Sequence, residues 1–162
     1  MFTVDRVSLG YHTSAGLDRE EIVPADGKII SLDLREIKSL DLLPIIWCAD
    51  LEVLSLRGNK LEEIDLTPLS RCSRLRSLTL SYNRLRDIDL SPLSDCPDLE
   101  ELHLDHNPLK RVNISPLFHC PRLKELSIDD EVTLTADIFL RSIGSWPEVL
   151  LDLYHKILWI QQ

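Results

Sequence analysis

Glycine is scarce in this chain, with 5 copies among 162 residues, and no glycine-rich stretch is available to cradle a phosphate group. The sequence also lacks a nucleophile elbow, and no cysteine is paired with a histidine at a spacing that suggests activation of a thiol. We therefore predict that the protein is not an enzyme and needs no cofactor. With 44% hydrophobic residues, the chain is long enough for one compact domain, residues 1–162, with a continuous core.

Long apolar runs and basic residues are also few. No stretch approaches the roughly 18 uninterrupted apolar residues that a membrane-spanning helix needs, and residues 1–6 show no basic region followed by an apolar run. We thus expect a cytoplasmic protein that does not bind a membrane. The 18 Lys and Arg residues are outnumbered by 27 Asp and Glu residues, and the net charge of -9 repels phosphate backbones, so that we do not expect nucleic acid as a partner.

The most informative feature present is an internal repeat with a period of 24 residues. The segment 51–61 has leucine at its first, fourth, sixth and last positions and Asn59 between them, and the next two copies keep this pattern. An earlier copy is altered, with Gly27 and Arg35 in place of leucine and asparagine, and a fifth copy is truncated. The three leading columns are Leu51, Leu75, Leu99 and Leu123; Leu54, Leu78, Leu102 and Leu126; and Leu56, Leu80, Leu104 and Ile128.

The pattern Leu-x-x-Leu-x-Leu-x-x-Asn-x-Leu resembles the leucine-rich repeat family over about two thirds of the chain. The resemblance implies an α/β fold, a right-handed leucine-rich repeat solenoid. Its concave face would carry a parallel β-sheet, and its convex face would carry short helical turns. It also implies a protein–protein interaction module as the function.

Each repeat column has a physical role that the residues themselves suggest. The alternation at 53–57 is typical of a strand with leucines directed inward. We call each repeat a coil of the solenoid. The asparagine that follows each strand can form hydrogen bonds with backbone groups of its own coil and of the neighbouring coil. Arg35 cannot form these bonds, so we expect the first coil to be irregular there. Thr67, Ser91 and Ser115 each precede a proline, and we expect them to N-cap the convex turns.

The four cysteines, Cys48, Cys72, Cys96 and Cys120, share one repeat column. A zinc site needs ligands that converge on one point, whereas a column of small thiols fills space along the core. We therefore predict a buried ladder of reduced cysteines, a state that fits a cytoplasmic protein.

Both ends of the solenoid need cover, because a parallel sheet leaves its outer strands and core open. We interpret residues 1–26 as an N-terminal cap, which includes Phe2 and covers the apolar turn at Ile45, Ile46 and Trp47. Residues 27–131 form about four and a half repeats, and residues 132–162 form a helical C-terminal cap. In that cap we expect one helix from Thr135 to Ile143 and another that starts with a capping box at Ser145 and runs to about Ile160. Phe139, Trp146 and Trp159 are expected to pack there.

Function is sought on the outward positions of the strands, because these side chains share one surface and have no role in the core. Toward the C-terminal end this surface is acidic, with Glu101 beside Glu125 and Asp105 beside Asp129, pairs that we expect to repel each other. The N-terminal half has an apolar margin that includes Val53. The predicted partner-binding residues are Val53, Arg57, Tyr82, Glu101, His103, Asp105, Glu125 and Asp129.

These residues favour a protein partner with a basic contact surface, whose Lys and Arg side chains pair with the carboxylates. Four alternatives stay open. The acidic residues only keep the surface hydrated, or His103, Asp105 and Asp129 hold a calcium or zinc ion. A third alternative, which small leucine-rich repeat proteins of similar appearance imply, is a regulatory subunit of a phosphatase or GTPase. The fourth is an enzyme whose site follows no known motif.

Overall fold

The computed structural model describes residues 3–162 of the chain. Within this range the strands, in chain order, are β1 (Arg6–Thr13), β2 (Asp18–Pro24), β3 (Ile29–Ser31), β4 (Ile37–Leu40), β5 (Val53–Ser55), β6 (Ser77–Thr79), β7 (Glu101–His103), β8 (Arg111–Asn113), β9 (Glu125–Ser127), β10 (Thr133–Asp137) and β11 (Ile157–Ile160). One short helix, α1, spans Glu148–Asp152. The 3-10 turns lie at Leu43–Trp47, Thr67–Arg71, Ser91–Asp95, Ser115–His119, Ile138–Ser142 and Tyr154–Lys156.

Five parallel strands form one sheet in the order β3-β5-β6-β7-β9. The sheet pairs residues that lie one repeat apart, so that Leu54, Leu78 and Leu102 stand side by side in the middle of their strands. All three leucines are fully buried, while the residues on either side of each leucine face outward. The structure therefore confirms the α/β solenoid, and we call the outward surface of this sheet, with the residues just after each strand, the concave face.

The convex side carries a 3-10 turn in each of the first four coils, with proline in its first turn. The prediction that Thr67, Ser91 and Ser115 cap these turns is wrong, because the capping side chain lies two residues earlier. The carboxylate of Asp65 accepts a hydrogen bond from the backbone N–H of Thr67 at 2.9 Å. Asp41, Asp89 and Asn113 accept equivalent bonds from the backbone N–H of Leu43, Ser91 and Ser115 at 2.9, 2.9 and 3.0 Å.

A ladder of buried asparagines joins the coils where the strands end, as predicted. Each amide group donates to two backbone carbonyls, one in its own coil and one in the coil before: Asn59 to Leu56 and Leu32, Asn83 to Leu80 and Leu56, and Asn107 to Leu104 and Leu80, all at 2.9–3.0 Å. The side-chain oxygens accept from backbone N–H groups of the preceding coil, which satisfies polar groups that water cannot reach.

The first coil is irregular, as expected from its lack of asparagine. Leu34, Gly58, Tyr82 and His106 occupy equivalent positions, and all four have positive φ angles, between 56° and 70°. Only the first coil adds a second such residue among those described, Glu36, with a φ of 59°. Asn59 of the next coil accepts hydrogen bonds from the backbone N–H groups on both sides of this residue, at Arg35 and Ile37.

The N-terminal segment forms a hairpin of β1 and β2, and β1 pairs with β4 in a three-stranded antiparallel sheet. Val7 and Leu9 of β1 are buried in the same hydrophobic core as the repeats. The expectation that the segment covers the first convex turn is wrong for two of three residues: Ile45 is buried, but Ile46 and Trp47 remain 37% and 58% exposed. Phe2 lies outside the described residues.

The C-terminal segment is mostly not helical, which corrects both predicted helices. Residues Thr133–Asp137 form β10, which pairs in parallel with β8 on one side and with β11 on the other, and of the predicted first helix only the 3-10 turn Ile138–Ser142 forms. Of the predicted second helix only α1 and one 3-10 turn form before the chain becomes β11. The predicted capping box is also absent, because the residue before α1 is Pro147 and it makes no side-chain cap.

Aromatic packing supports this C-terminal arrangement. Trp146 lies edge-on to Phe118 with ring centroids 5.1 Å apart, and it donates a hydrogen bond from Nε1 to the backbone carbonyl of Leu140. Trp159 lies 5.4 Å from Trp146. Phe139, which we also expected here, is instead 68% exposed.

The cysteine column is confirmed as a buried ladder of free thiols. Each later thiol donates toward the backbone of the preceding convex turn, as Cys96 does to Leu69 at 3.4 Å and Cys120 to Leu93 at 3.3 Å. Burial raises the pKa of Cys72, Cys96 and Cys120 to about 12. The thiols therefore remain protonated at neutral pH.

This burial predicts the behaviour of the folded protein toward a thiol reagent such as DTNB. Because only the thiolate reacts and the sulfur must first be exposed, labelling of the folded protein should be at least about 100-fold slower than labelling in concentrated guanidinium chloride. The unfolded chain should then titrate as four thiols. Free glutathione under both conditions controls for the effect of denaturant on the reagent, and fast labelling of any thiol in the folded protein would contradict the ladder.

Candidate functional site

The register of the sheet brings the predicted site residues onto the concave face in successive lateral rows. Val53, Glu101 and Glu125 stand in one row with Ile29 and Ser77 between or beside them. His103 stands in the next row, opposite Ser127. Arg57, Asp105 and Asp129 form a further row, two residues after the end of their strands. Tyr82 lies three residues after the end of β6, one position beyond that row.

The C-terminal half of the face carries two carboxylates on paired strands. Glu101 and Glu125 are directly opposite each other on β7 and β9, and their side chains are 48% and 58% exposed. Among the described residues, the only basic side chain within 4.0 Å of these carboxylates is His103. Its Nε2 lies 4.0 Å from a carboxylate oxygen of Glu101, and its Nδ1 lies 3.8 Å from one of Glu125. Like charges directly opposite in a sheet destabilise it, so these two side chains cost stability in the isolated protein.

Asp105 and Asp129 are held differently from what the sequence suggested. Asp105 accepts hydrogen bonds from the hydroxyl of Ser81 at 2.6 Å and from Nδ1 of His106 at 2.8 Å. Although burial opposes its ionisation, these bonds outweigh burial and hold its pKa below the ordinary value. Asp129 accepts a hydrogen bond from the backbone N–H of His106 at 2.9 Å. Both carboxylates therefore stabilise the turn at residue 106, a role that the sequence did not reveal.

Arg57, Tyr82 and His106 form a stack of side chains at the edge of the concave face where the strands end. The rings of Tyr82 and His106 are parallel within 8°, with centroids 4.0 Å apart. The guanidinium carbon of Arg57 lies 4.8 Å from the Tyr82 centroid. The sequence analysis named Arg57 and Tyr82 but did not predict the stack, although the 24-residue spacing of Tyr82 and His106 could have revealed it.

The N-terminal half of the face is apolar at its margin. Ile29 is 68% exposed, and Val53 stands beside it in the sheet. Leu34, which the sequence analysis missed, is 75% exposed. It lies over Gly58, and a Cβ added to Gly58 would be only 2.5 Å from a methyl carbon of Leu34. Asp33 is engaged by Ser55 and by the backbone N–H of Arg57, so it adds no free carboxylate.

A metal site finds no support in this geometry. Across residues 3–162, no group of three or more His, Cys, Asp or Glu side chains is arranged to hold an ion. His103 is bonded to the hydroxyl of Ser127 at 3.0 Å, while Asp105 and Asp129 are directed to the partners described above. In the same range, no helix is long and apolar enough to cross a membrane.

Comparison with known proteins decides the family. The sequence profile of the leucine rich repeat family matches residues 49–109 and 73–132, which together span more than half of the chain. The chain belongs to the leucine-rich repeat family. Domains of this family are generally protein–protein interaction modules and generally not enzymes. No curated protein sequence matches the chain.

Solved structures to which this chain is similar include internalins of Listeria monocytogenes. An internalin (inlF) of strain 4b F2365 is 19% identical, over 73% of this chain and 44% of that one, with a TM-score of 0.49. Internalin C2 of the same strain is 28% identical, over 65% and 50%, with a TM-score of 0.47. The functional domain of InlJ, described as including a cysteine ladder, is 20% identical, over 72% and 32%, with a TM-score of 0.44. The chain thus spans half or less of each of these structures.

Proposed function

We propose that the concave face binds a protein partner, and that the partner contacts it with a basic surface. The observation that carries the proposal is the pair Glu101 and Glu125, which stand side by side, about half exposed, with His103 as their only nearby basic group among the described residues. A Lys or Arg side chain placed between them would relieve their repulsion. Such charge complementarity governs the association rate and the orientation of the complex more than its affinity.

The rest of the face supplies contacts of a different kind. The exposed Ile29 and Leu34 offer apolar area at the opposite end of the sheet. Between the two ends, the stacked Arg57, Tyr82 and His106 form one aromatic and cationic surface. Tyrosine and arginine are frequent among the residues that dominate binding energy. The face is about 20 Å across, because five strands are separated by four spacings of about 4.8 Å, and this width suits one helix or one loop of the partner.

Neutralising the two glutamates tests this proposal. We expect E101Q/E125Q to keep or slightly raise the melting temperature, because the removed repulsion costs about 0.2–1 kcal/mol. Capture of the native partner should decrease, and the association rate at low salt should fall by roughly tenfold. The measurements are quantitative affinity capture followed by association kinetics with the captured protein at several salt concentrations.

The matched control is E62Q/E63Q, which removes the same charge from two exposed residues outside the concave face. It should leave both the association rate and its salt dependence almost unchanged. If E101Q/E125Q bound as fast as the native protein at low salt, or if both variants lost the same amount, the acidic pair would only hydrate the surface and the proposal would be wrong.

Two finer statements about function remain predictions. A cytoplasmic location rests on the sequence and on the reduced thiols. A phosphatase or GTPase as the partner rests on the appearance of the sequence, and no contact described above favours it over another basic protein.

A further inference from the structure

A groove of about 500 Å³ lies on the convex side, between the first and second coils and away from the concave face. It runs from the end of β4 to the end of the second 3-10 turn. The residues that the argument uses are Asp41, Leu43, Ile46, Asp65, Pro68 and Arg71, all of which line it.

The first coil gives this groove an exposed apolar wall that the second and third coils lack, and the fourth coil's Phe118, at the position of Ile46, is buried against Trp146. Leu43 is 59% exposed and Ile46 is 37% exposed. At the position of Leu43 the next coils have Thr67 and Ser91, and at the position of Ile46 they have Ser70 and Ser94. Trp47, next to Ile46, is also 58% exposed. Large apolar side chains grouped on an otherwise polar surface are characteristic of an interaction site.

The N-terminal hairpin does not account for this wall. It packs on β4 and reaches the first convex turn, and Ile45 is buried there. Leu43 and Ile46 point instead to the groove. The second and third coils form the same turn with threonine or serine at these positions, so the turn itself does not require large apolar residues there.

Two carboxylates line the same groove and are fixed in place. Asp41 and Asp65 each use one oxygen to cap a convex turn, and neither forms an ion pair with any residue in 3–162. Hydrogen bonds from Thr67 hold the pKa of Asp65 below its ordinary value, so it is charged at neutral pH. Among residues 3–162, Arg71, at the end of the second turn, is the one cation that lines the groove.

We propose that this groove binds an amphipathic helix of another protein, with an apolar side chain between Leu43, Ile46 and Pro68 and a Lys or Arg side chain against Asp41 and Asp65. An apolar residue and a basic residue one turn apart on a helix would meet both features. Arg71 at the far end would meet an acidic residue or the C-terminal end of the helix, whose partial charge is negative. A second copy of this chain is disfavoured as the occupant, because its net charge of -9 opposes self-association.

Selection from a library of random helical peptides tests the proposal on the 162-residue chain. We expect the enriched peptides to share an apolar residue and a Lys or Arg residue three or four positions apart. One such peptide, measured by fluorescence anisotropy, should bind D41N/D65N about three to tenfold more weakly than the native chain. L43S/I46S should weaken it by at least about tenfold through loss of apolar contact.

The asparagine variants are designed to keep the fold. Asn113 occupies the same repeat position as Asp41 and Asp65 and makes the same capping bond with its amide oxygen, so that asparagine removes the charge and preserves the cap. D89N is the matched control, since Asp89 caps the third turn outside the groove, and it should not weaken binding. E101Q/E125Q should also bind the peptide normally, which separates this surface from the concave face.

Three results would overturn the proposal. One is a set of enriched peptides without the shared apolar and basic residues, or no enrichment at all. Another is a peptide whose affinity does not change in D41N/D65N or L43S/I46S. The third is a dimer of the native chain in sedimentation velocity that L43S/I46S abolishes, because a second copy would then be the occupant.

Discussion

A chain that ends at Gly144 is expected to lose cooperative thermal unfolding or to aggregate. The deleted segment contributes Leu150 and Ile157 to the hydrophobic core, and both are buried. The truncation also removes β11, which pairs with β10, and Trp146, which packs on Phe118. Loss of these contacts exposes the last coil to water and leaves an open strand edge, both of which favour aggregation. Circular dichroism melting and light scattering at matched concentrations measure the two outcomes.

Removal of only Gln161 and Gln162 is the control, since both are exposed and lie beyond β11. That chain should melt at the temperature of the native protein. A less severe variant, L150A, should remain folded but lose about 2–5 kcal/mol, because it leaves a cavity at a fully buried position. A soluble chain of residues 1–144 with a native melting temperature would show that the segment does not close the solenoid.

The repeat region was predictable because one period fixes many contacts at once. When every coil has the same length, residues 24 positions apart are forced into the same lateral row, as Glu101 and Glu125 are. Inward leucines then follow from the alternation within each strand. The same argument placed the asparagines and the cysteines in buried columns.

The C-terminal segment was not predictable from local patterns, because tertiary pairing overrides them. The apolar residues from Val149 to Leu158 have a helical spacing, but Ile157–Ile160 pairs in parallel with β10. Thr133–Asp137 likewise becomes a strand because β8 offers it a backbone edge at Val112. Short apolar segments do not distinguish strand from helix unless their partners are known.

The placement of the candidate residues on one face was predictable, but their hydrogen-bond partners were not. Periodicity located Asp105 and Asp129 on one face, yet it could not show that Ser81 and His106 hold these carboxylates. Whether an acidic side chain is free or engaged depends on rotamers and on neighbouring backbone N–H groups. A repeat pattern does not specify either of these.

The middle residue of the asparagine ladder should be among the most sensitive positions in the chain. Asn83 is 93% buried, with 7% of its surface exposed, and its oxygen accepts from the backbone N–H of Leu61 at 3.1 Å. N83A would leave that N–H without a partner and remove the two bonds that Asn83 donates to the carbonyls of Leu56 and Leu80. We expect a loss of about 3 kcal/mol in the free energy of unfolding and a decrease of roughly 10 °C in melting temperature.

N113A supplies the comparison that separates this network from any loss of asparagine. Asn113 is only partly buried and accepts one hydrogen bond, from the backbone N–H of Ser115, so its replacement should cost about 1 kcal/mol, as for other caps. Leu56 and Leu80 also accept from Asn59 and Asn107, so the larger effect of N83A must come mainly from the unpaired Leu61 N–H and the cavity left by the amide. Hydrogen exchange should therefore accelerate at Leu61 in N83A. Equal losses in the two variants in urea unfolding would mean that the ladder adds nothing beyond local capping.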